Sequence, residues 1–325
     1  MRIAIVRLSA LGDIIQSMIV VQFIKEKYPQ STIDWVVDKK FSEIVRLNNL
    51  VDNVLETRLN EIKKSKNIFY LLKHFAELRK AQKYDYVIDM QGLLKSAIIS
   101  KIIPSNKTIG FDRKSSREPL SSFFYSDSFN IPYDKNVISR YCDLISKSLN
   151  IKISFNQILN KKPIFEIKQQ VQPLKKLVAI IIGSSFGSKN YPLKNYEIIS
   201  RNIDADFLCL WGTNLEFVKA KKLSDACLNV NVSKKTSLGE LPTIIASSHL
   251  VIGGDTGPTH LAWALNIPSI TLFGPTPGSR NMFETRINLK IESESRVDPL
   301  RIDKLDRSIS EIDPKEIIKL AKKLL

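Results

Sequence analysis

Arg2-Ile-Ala-Ile-Val-Arg-Leu-Ser-Ala-Leu-Gly-Asp13 is the stretch on which the fold turns. Ile3-Ala-Ile-Val6 is a short apolar run that breaks at Ser9-Ala-Leu-Gly12, passes into a helix-like pattern through Lys27 and ends before Pro29. Strand, tight turn and helix follow in that order. The same grammar returns at Ile33-Asp-Trp-Val-Val37, at Tyr86-Val-Ile-Asp89 with Gln91-Gly92 and a helical stretch behind it, and at Thr108-Ile-Gly110. Strands alternating with helices at this spacing imply an α/β fold with a parallel sheet covered on both faces.

Beyond Lys161-Lys162-Pro163 the text is polar and irregular until Leu177-Val-Ala-Ile-Ile-Ile182, which ends in Gly183-Ser184-Ser185 and starts a second sheet. Further strands read Asp206–Leu210 before Trp211-Gly212, Leu250-Val-Ile252 before Gly253-Gly-Asp255, and Ser269-Ile-Thr-Leu272 before Phe273-Gly-Pro275. The break near 163–176 predicts a first domain over 1–165 and a second over 166–312. A terminal helix over 313–325 starts at Asp313-Pro314-Lys315, with Asp as its cap and Pro in its first turn. No internal sequence repeat is visible.

A chain of 325 residues, 43% hydrophobic and 25% charged, has material for two cores, which excludes a disulfide-stapled miniature and wholesale disorder. Lys and Arg total 49 against 33 Asp and Glu, a formal net charge of +16 that calls for an anionic partner: nucleic acid, phosphorylated small molecules or an acidic membrane leaflet. The excess is uneven. Residues 1–165 hold 27 basic and 16 acidic side chains, and within them residues 58–117 hold 14 and 5. Such a run is either a solvated face or a binding surface. Cys142, Cys209 and Cys227 are too few and scattered for a zinc cage or a disulfide framework, which suits the cytoplasm. Arg7 and Asp13 interrupt the apolar opening, so neither a leader nor a membrane span is expected.

In open parallel sheets, ligands bind beyond the carboxyl ends of strands, where turns lead into helix N-termini. Ser9, Gly12 and Asp13 follow the first strand. Asp13 falls in the first helical turn, either as a general base or as an acid that only complements the helix dipole. Gly183-Ser-Ser-Phe-Gly-Ser-Lys189 gathers hydroxyls, glycines and one cation suited to a departing diphosphate, although Lys189 alone also reads as a surface lysine. Gly253-Gly-Asp-Thr-Gly-Pro-Thr-His260 is the most specific segment. Its free backbone N–H groups suit a pyrophosphate, with Thr256, Thr259 and His260 as further donors. The alternative is an ordinary turn with Asp255 as helix cap and His260 in packing. Glu216 can accept from ribose hydroxyls or simply start a helix.

Other chemistries find little in the chain. No GxGxxG or Walker A motif is present, the serines have no obvious His and Asp set in order, and His74, His249 and His260 lack companions at metal-ligand spacing. Trp35, Trp211 and Trp263 lie in or beside apolar elements and read as core. A nucleic-acid-binding protein would use the same charge, but no aromatic–basic interleaving accompanies it.

The opening stretch, Asp34-Trp-Val-Val37, Asp89-Met-Gln-Gly-Leu-Leu-Lys-Ser96, Arg117-Glu-Pro-Leu120 and Asp255-Thr-Gly-Pro-Thr-His260 together resemble glycosyltransferase family 9, in order from residue 1 to about 275. The second and fourth of these lean, within that family, toward the enzymes that transfer heptose directly to Kdo. The resemblance implies a GT-B fold: two Rossmann-like domains whose parallel sheets face a central cleft, the acceptor on the first and the nucleotide-sugar on the second, with the terminal helix packing back on the first. It implies inverting transfer of L-glycero-D-manno-heptose from ADP-heptose to the Kdo of Kdo-lipid A, with no metal or other cofactor, no nucleic acid, and peripheral attachment to the cytoplasmic face of the inner membrane. Sibling enzymes that add a later heptose are the nearest alternative.

Position by position, Asp13 matches the family's base. Ser9, Gly12, Ser184, Ser185, Lys189, Glu216, Thr236, Asp255, Thr256, Gly257 and His260 match its nucleotide-sugar positions. Arg58, Lys63, Lys64, Lys66 and Arg117 fall among its acceptor-binding cations. Serines replace the family's usual threonines at 184 and 185, lysines replace most acceptor-site arginines, and Asn136 stands where a basic residue is expected.

Overall fold

The computed structural model describes residues 1–65, 67–167 and 174–325. It forms two compact units, Met1–Glu166 and Ile167–Leu325. In the first, β1 (Arg2–Val6), β2 (Thr32–Asp38), β3 (Asn53–Thr57), β4 (Tyr84–Asp89), β5 (Ser105–Phe111) and β6 (Asp127–Phe129) make one sheet in the order β3-β2-β1-β4-β5-β6. Every pairing is parallel, with Ile3 beside Ile33 on one side and Tyr86 on the other. In the second, β7 (Leu177–Ile181), β8 (Asp206–Leu210), β9 (Val230–Val232), β10 (Leu250–Gly254), β11 (Ser269–Phe273) and β12 (Asn288–Glu292) run β12-β11-β10-β7-β8-β9, again all parallel. Counted from its own first strand, each sheet has the doubly wound order 3-2-1-4-5-6 of a Rossmann unit. A topological repeat thus exists without a sequence repeat. Two Rossmann-like units are the composition of a GT-B fold.

The inner strands are mostly apolar because helices cover both their faces: Ile3, Ala4, Ile5, Val6, Ile33, Trp35 and Val36 are fully buried. β2 holds two buried carboxylates, Asp38 at its end and Asp34 within it. The Asp34 carboxylate accepts from Tyr84 Oη at 2.6 Å and Asn53 Nδ2 at 2.9 Å, and it pairs with Arg2 Nη2 at 3.2 Å. Burial and this hydrogen bond push the Tyr84 phenol above its ordinary pKa. Asp34 therefore ties four neighbouring strands together on the side where they begin, so its part in the family resemblance is structural.

The helix Pro314–Leu324 starts at Asp313, whose carboxylate accepts from Lys315 N at 2.8 Å. Its apolar stripe buries Ile317 and Ala321 with Tyr196, Ile199 and Leu272 in the second unit's core. By these contacts the helix is part of the second unit. No helix among the described residues is long and apolar enough to cross a membrane.

Candidate active site

In each unit the chain reverses its winding between the two central strands, β1 and β4 in the first and β7 and β10 in the second, and ligands of such sheets bind at the carboxyl ends there. Ser9, Gly12 and Asp13 fall at the first of these places, and Lys189 and residues 255–260 at the second.

In the first unit, Asp13 stands in the first turn of the helix Leu11–Ser17, directly after β1. Arg7 Nη2 lies 2.8 Å from Asp13 Oδ2, which also accepts from the Ala10 backbone N–H at 3.3 Å. Oδ1 receives the Tyr141 hydroxyl at 3.4 Å. The Asp13 side chain remains 39% exposed while that of Arg7 is 9% exposed, so a buried cation fixes a reachable carboxylate. Burial alone would weaken the Arg7 charge; the Asp13 carboxylate and its neighbours outweigh that and raise the guanidinium pKa. Arg7 is held in turn by the Met90 carbonyl at 2.7 Å and by the Tyr141 ring 5.3 Å from its guanidinium carbon. The helix that carries Tyr141, Val137–Leu149, is capped by Asn136, which accepts from the N–H groups of Ile138 and Ser139. The departure from the family at position 136 thus serves the helix behind the base.

Ser9 lies beside Asp13 on the same mouth, with Gln91 Nε2 and Lys95 Nζ at 3.5 and 3.4 Å from its hydroxyl. Gln91 and Gly92 form the turn after β4. Their N–H groups donate to the fully buried Asp89 carboxylate at 2.8 and 3.3 Å, and Tyr125 Oη donates to it at 2.8 Å. Gly92 sits at φ 67°, where a side chain is strained. Burial raises the Asp89 pKa in spite of these donors.

In the second unit, Lys189 Nζ pairs with Asp255 Oδ2 at 2.8 Å and His260 Nε2 meets Asp255 Oδ1 at 2.8 Å, all three side chains being at most 10% exposed. Asn281 Nδ2 donates to the same carboxylate at 3.2 Å. Burial alone would raise the Asp255 pKa, but the Lys189 ammonium and His260 hold it well below the ordinary carboxylate range. Asp255 is thus not a helix cap. The cap position of the helix Gly257–Ala264 is Thr256, whose side chain makes no capping bond, and the first-turn N–H groups lie beside the Lys189–Asp255 pair.

Ser184 Oγ sits 2.7 Å from both the Phe186 carbonyl and Asn190 Oδ1, shaping the loop that delivers Lys189; Ser185 next to it is exposed. Gly254 is required here because a Cβ would stand 2.6 Å from the Lys189 carbonyl oxygen. Gly254→Ala is expected to displace the Lys189 loop and lower stability by about 1–3 kcal/mol, read as a reduced urea midpoint at constant slope.

The sequence profile of glycosyltransferase family 9 (heptosyltransferase) matches residues 71–285. The lipopolysaccharide heptosyltransferase 1 of Campylobacter coli is 39% identical, over 100% of this chain and 99% of that protein. This chain belongs to glycosyltransferase family 9. The lipopolysaccharide heptosyltransferase 1 of Escherichia coli K12 is 29% identical over 86% of this chain and 89% of its own. The solved E. coli heptosyltransferase WaaC with ADP superposes with a TM-score of 0.83 at 22% identity, covering both chains in full, a likeness that establishes the shared fold.

Against the positions expected for a family 9 member, Lys189, Asp255, Thr256, Gly257 and His260 are brought together, and Ser9, Gly12 and Asp13 share one mouth in the other unit. Glu216 does what a helix start requires: its carboxylate accepts from the N–H groups of Gly212 and Thr213 at 2.7 and 3.1 Å, while Thr213 caps Glu216 N. It also lies so close to Gly183 that a Cβ there would stand 2.1 Å from its Cδ, which puts it at the β7 mouth. Thr236 is half-buried in the loop after β9, donating to the Lys234 carbonyl at 3.0 Å.

Arg58 and Lys64 are exposed before and within the helix Leu59–Ser65, which also carries Lys63; Arg117 is exposed near Pro119. Lys66 lies outside the described residues. Among the described residues, no group of three or more His, Cys, Asp or Glu is placed to hold a metal ion.

The supports of Asp13 and Asp255 were missed from sequence. Arg7, Tyr141 and Asn281 reach these carboxylates from 6, 128 and 26 residues away, and only Arg7 lay in a stretch already singled out. Ser188 and Thr276 are buried hydroxyls without a hydrogen-bond partner after β7 and β11. Their neighbourhood to glycine-rich turns was the available signal.

Proposed function

We propose that this family 9 enzyme transfers L-glycero-D-manno-heptose from ADP-heptose to a Kdo hydroxyl of Kdo-lipid A, with inversion and without a metal ion, at the cytoplasmic face of the inner membrane. The observation that carries the reading is full-length 39% identity to the lipopolysaccharide heptosyltransferase 1 of C. coli. The site chemistry supports it. Asp13, paired with Arg7, takes the proton of the attacking acceptor hydroxyl as the new glycosidic bond forms. Lys189 and the N–H groups at the start of the helix Gly257–Ala264 stabilise the ADP that leaves with the bonding electrons. One of the three Lys189 protons is engaged by Asp255, and the other two remain for diphosphate oxygens. Glu216, Thr236, Ser184 and Ser185 line the nucleotide-sugar in this reading. Arg58, Lys63, Lys64, Lys66 and Arg117 meet the acidic groups of the acceptor.

The test is incubation of the purified protein with ADP-heptose and Kdo-lipid A in EDTA, with products identified by mass spectrometry. One added heptose on Kdo is expected. Product formed only on an acceptor that already bears heptose would assign the later transfer instead, and strict metal dependence would overturn the mechanism.

A further inference from the structure

From the exposed side chains of the first unit we infer that it docks on an anionic lipid bilayer by inserting two apolar ridges framed by cations. This deepens the peripheral attachment in the function proposed above, and rests on it, by naming the surface. The helix Ile68–Arg79 buries His74 and Leu78 against the unit, yet its first turns carry Ile68, Phe69, Tyr70 and Leu72, each more than half exposed and Phe69 76% exposed. Farther along, the exposed positions are Lys73, Ala76, Glu77, Arg79 and Lys80, three cations to one carboxylate. A water-facing helix of a soluble protein has the reverse arrangement, with charge outward and apolar groups inward.

A second, independent ridge stands on the 3-10 turn Pro119–Phe124, where Leu120 is 56% and Phe123 73% exposed, behind the exposed cations Arg113 and Lys114. Both segments pack on one helix, Leu94–Ile102, so the ridges flank a common support. Clustered large apolar side chains are not the scattered exposed leucines of an ordinary surface. Cations around them select the occupant: an apolar protein partner gains nothing from this ring of charge, whereas a bilayer rich in acidic headgroups meets both features at once.

Vesicle flotation with the full chain tests this. Wild-type protein is expected to float with phosphatidylglycerol-containing vesicles and not with pure phosphatidylcholine. Phe123→Ser should lower the partition coefficient about ten-fold, the change expected when one apolar side chain no longer leaves water, and Phe69→Ser with Leu72→Ser about a hundred-fold. Phe69→Trp should bind as wild type, with its added fluorescence quenched by lipids brominated along their chains. Undiminished binding of the serine variants, or a tryptophan that brominated chains leave unquenched, overturns the inference. So does a concentration-dependent dimer in light scattering that the serine substitutions dissociate, which would make a second copy the occupant. Transfer to a deacylated, water-soluble acceptor is expected to be unchanged in the serine variants. Failure of wild-type transfer with intact flotation would instead remove the proposed activity and leave the surface standing.

Discussion

Replacing Asp13 by Asn is expected to lower the rate of heptosyl transfer by about 10²–10⁴-fold, the range over which a positioned general base contributes. ADP affinity, measured by calorimetry, should stay within about two-fold of wild type, because the groups assigned to the diphosphate belong to the other unit. Asn is the more telling substitution than Ala. It keeps the side-chain shape and one acceptor oxygen for the Ala10 N–H and Arg7, with its Nδ2 donating to the Tyr141 hydroxyl oxygen, but has no charge with which to take a proton. Asp13→Ala also strips the partner from Arg7, whose side chain is 9% exposed, and so adds a folding penalty to the kinetic one. The pair of variants separates the two roles: both should lose turnover, but only Ala should also lower the unfolding midpoint appreciably. Near-normal turnover of Asp13→Asn would remove Asp13 as the base.

The second large effect concerns Asp255. Lys189 and Asp255 are 10% and 8% exposed at the side chain, so removing the carboxylate leaves a buried ammonium with no counter-charge. Asp255→Ala is expected to cost about 3–5 kcal/mol of stability, whereas Asp255→Ala combined with Lys189→Met should recover much of it, because neither partner is then left charged and alone. Denaturant unfolding of the three proteins measures this directly. A double variant as unstable as the single one would show that the pair is not the source.

The pH dependence has a definite sign. The folded Asp255 pKa lies below its unfolded value near 3.8, so its contribution is fully present above about pH 4 and is lost as the pH falls through the lower folded pKa. Asp255→Ala should accordingly flatten the acid limb of the stability curve without altering its shape near neutrality. Both variants should also bind ADP more weakly: Lys189→Met loses a phosphate contact, and Asp255→Ala frees Lys189 from the position that the pair imposes.

Eight of the twelve strands correspond to the runs read from sequence, and the four that do not are β3, β6, β9 and β12, the outermost strands of the two sheets. An inner strand is covered on both faces and writes itself as Ile-Ala-Ile-Val; an edge strand pairs on one side only and is part-exposed, so Asn53-Val-Leu-Glu-Thr57 and Asp127-Ser-Phe129 carry no continuous apolar signal. The site divides in the same way. Asp13, Lys189 and the Asp255–His260 segment were legible because strand-end turns announce themselves locally. The company they keep was not, since Tyr141 and Asn281 meet their carboxylates through tertiary packing and leave no mark on nearby spacing. Asp255 and His260 read either as part of a sugar and phosphate loop or as a cap and a packing residue, because a buried charge cluster cannot be told from an exposed one by residue type.

Both sheets carry the same strand order, and each assigned group finds its supports inside its own unit: Asp13 among Arg7, Ala10 and Tyr141, Asp255 among Lys189, His260 and Asn281. The two sets of supports can therefore be altered one unit at a time. If the halves divide acceptor and donor as proposed, a hybrid joined at 166/167 to the matching half of a relative should inherit its acceptor from one parent and its donor from the other.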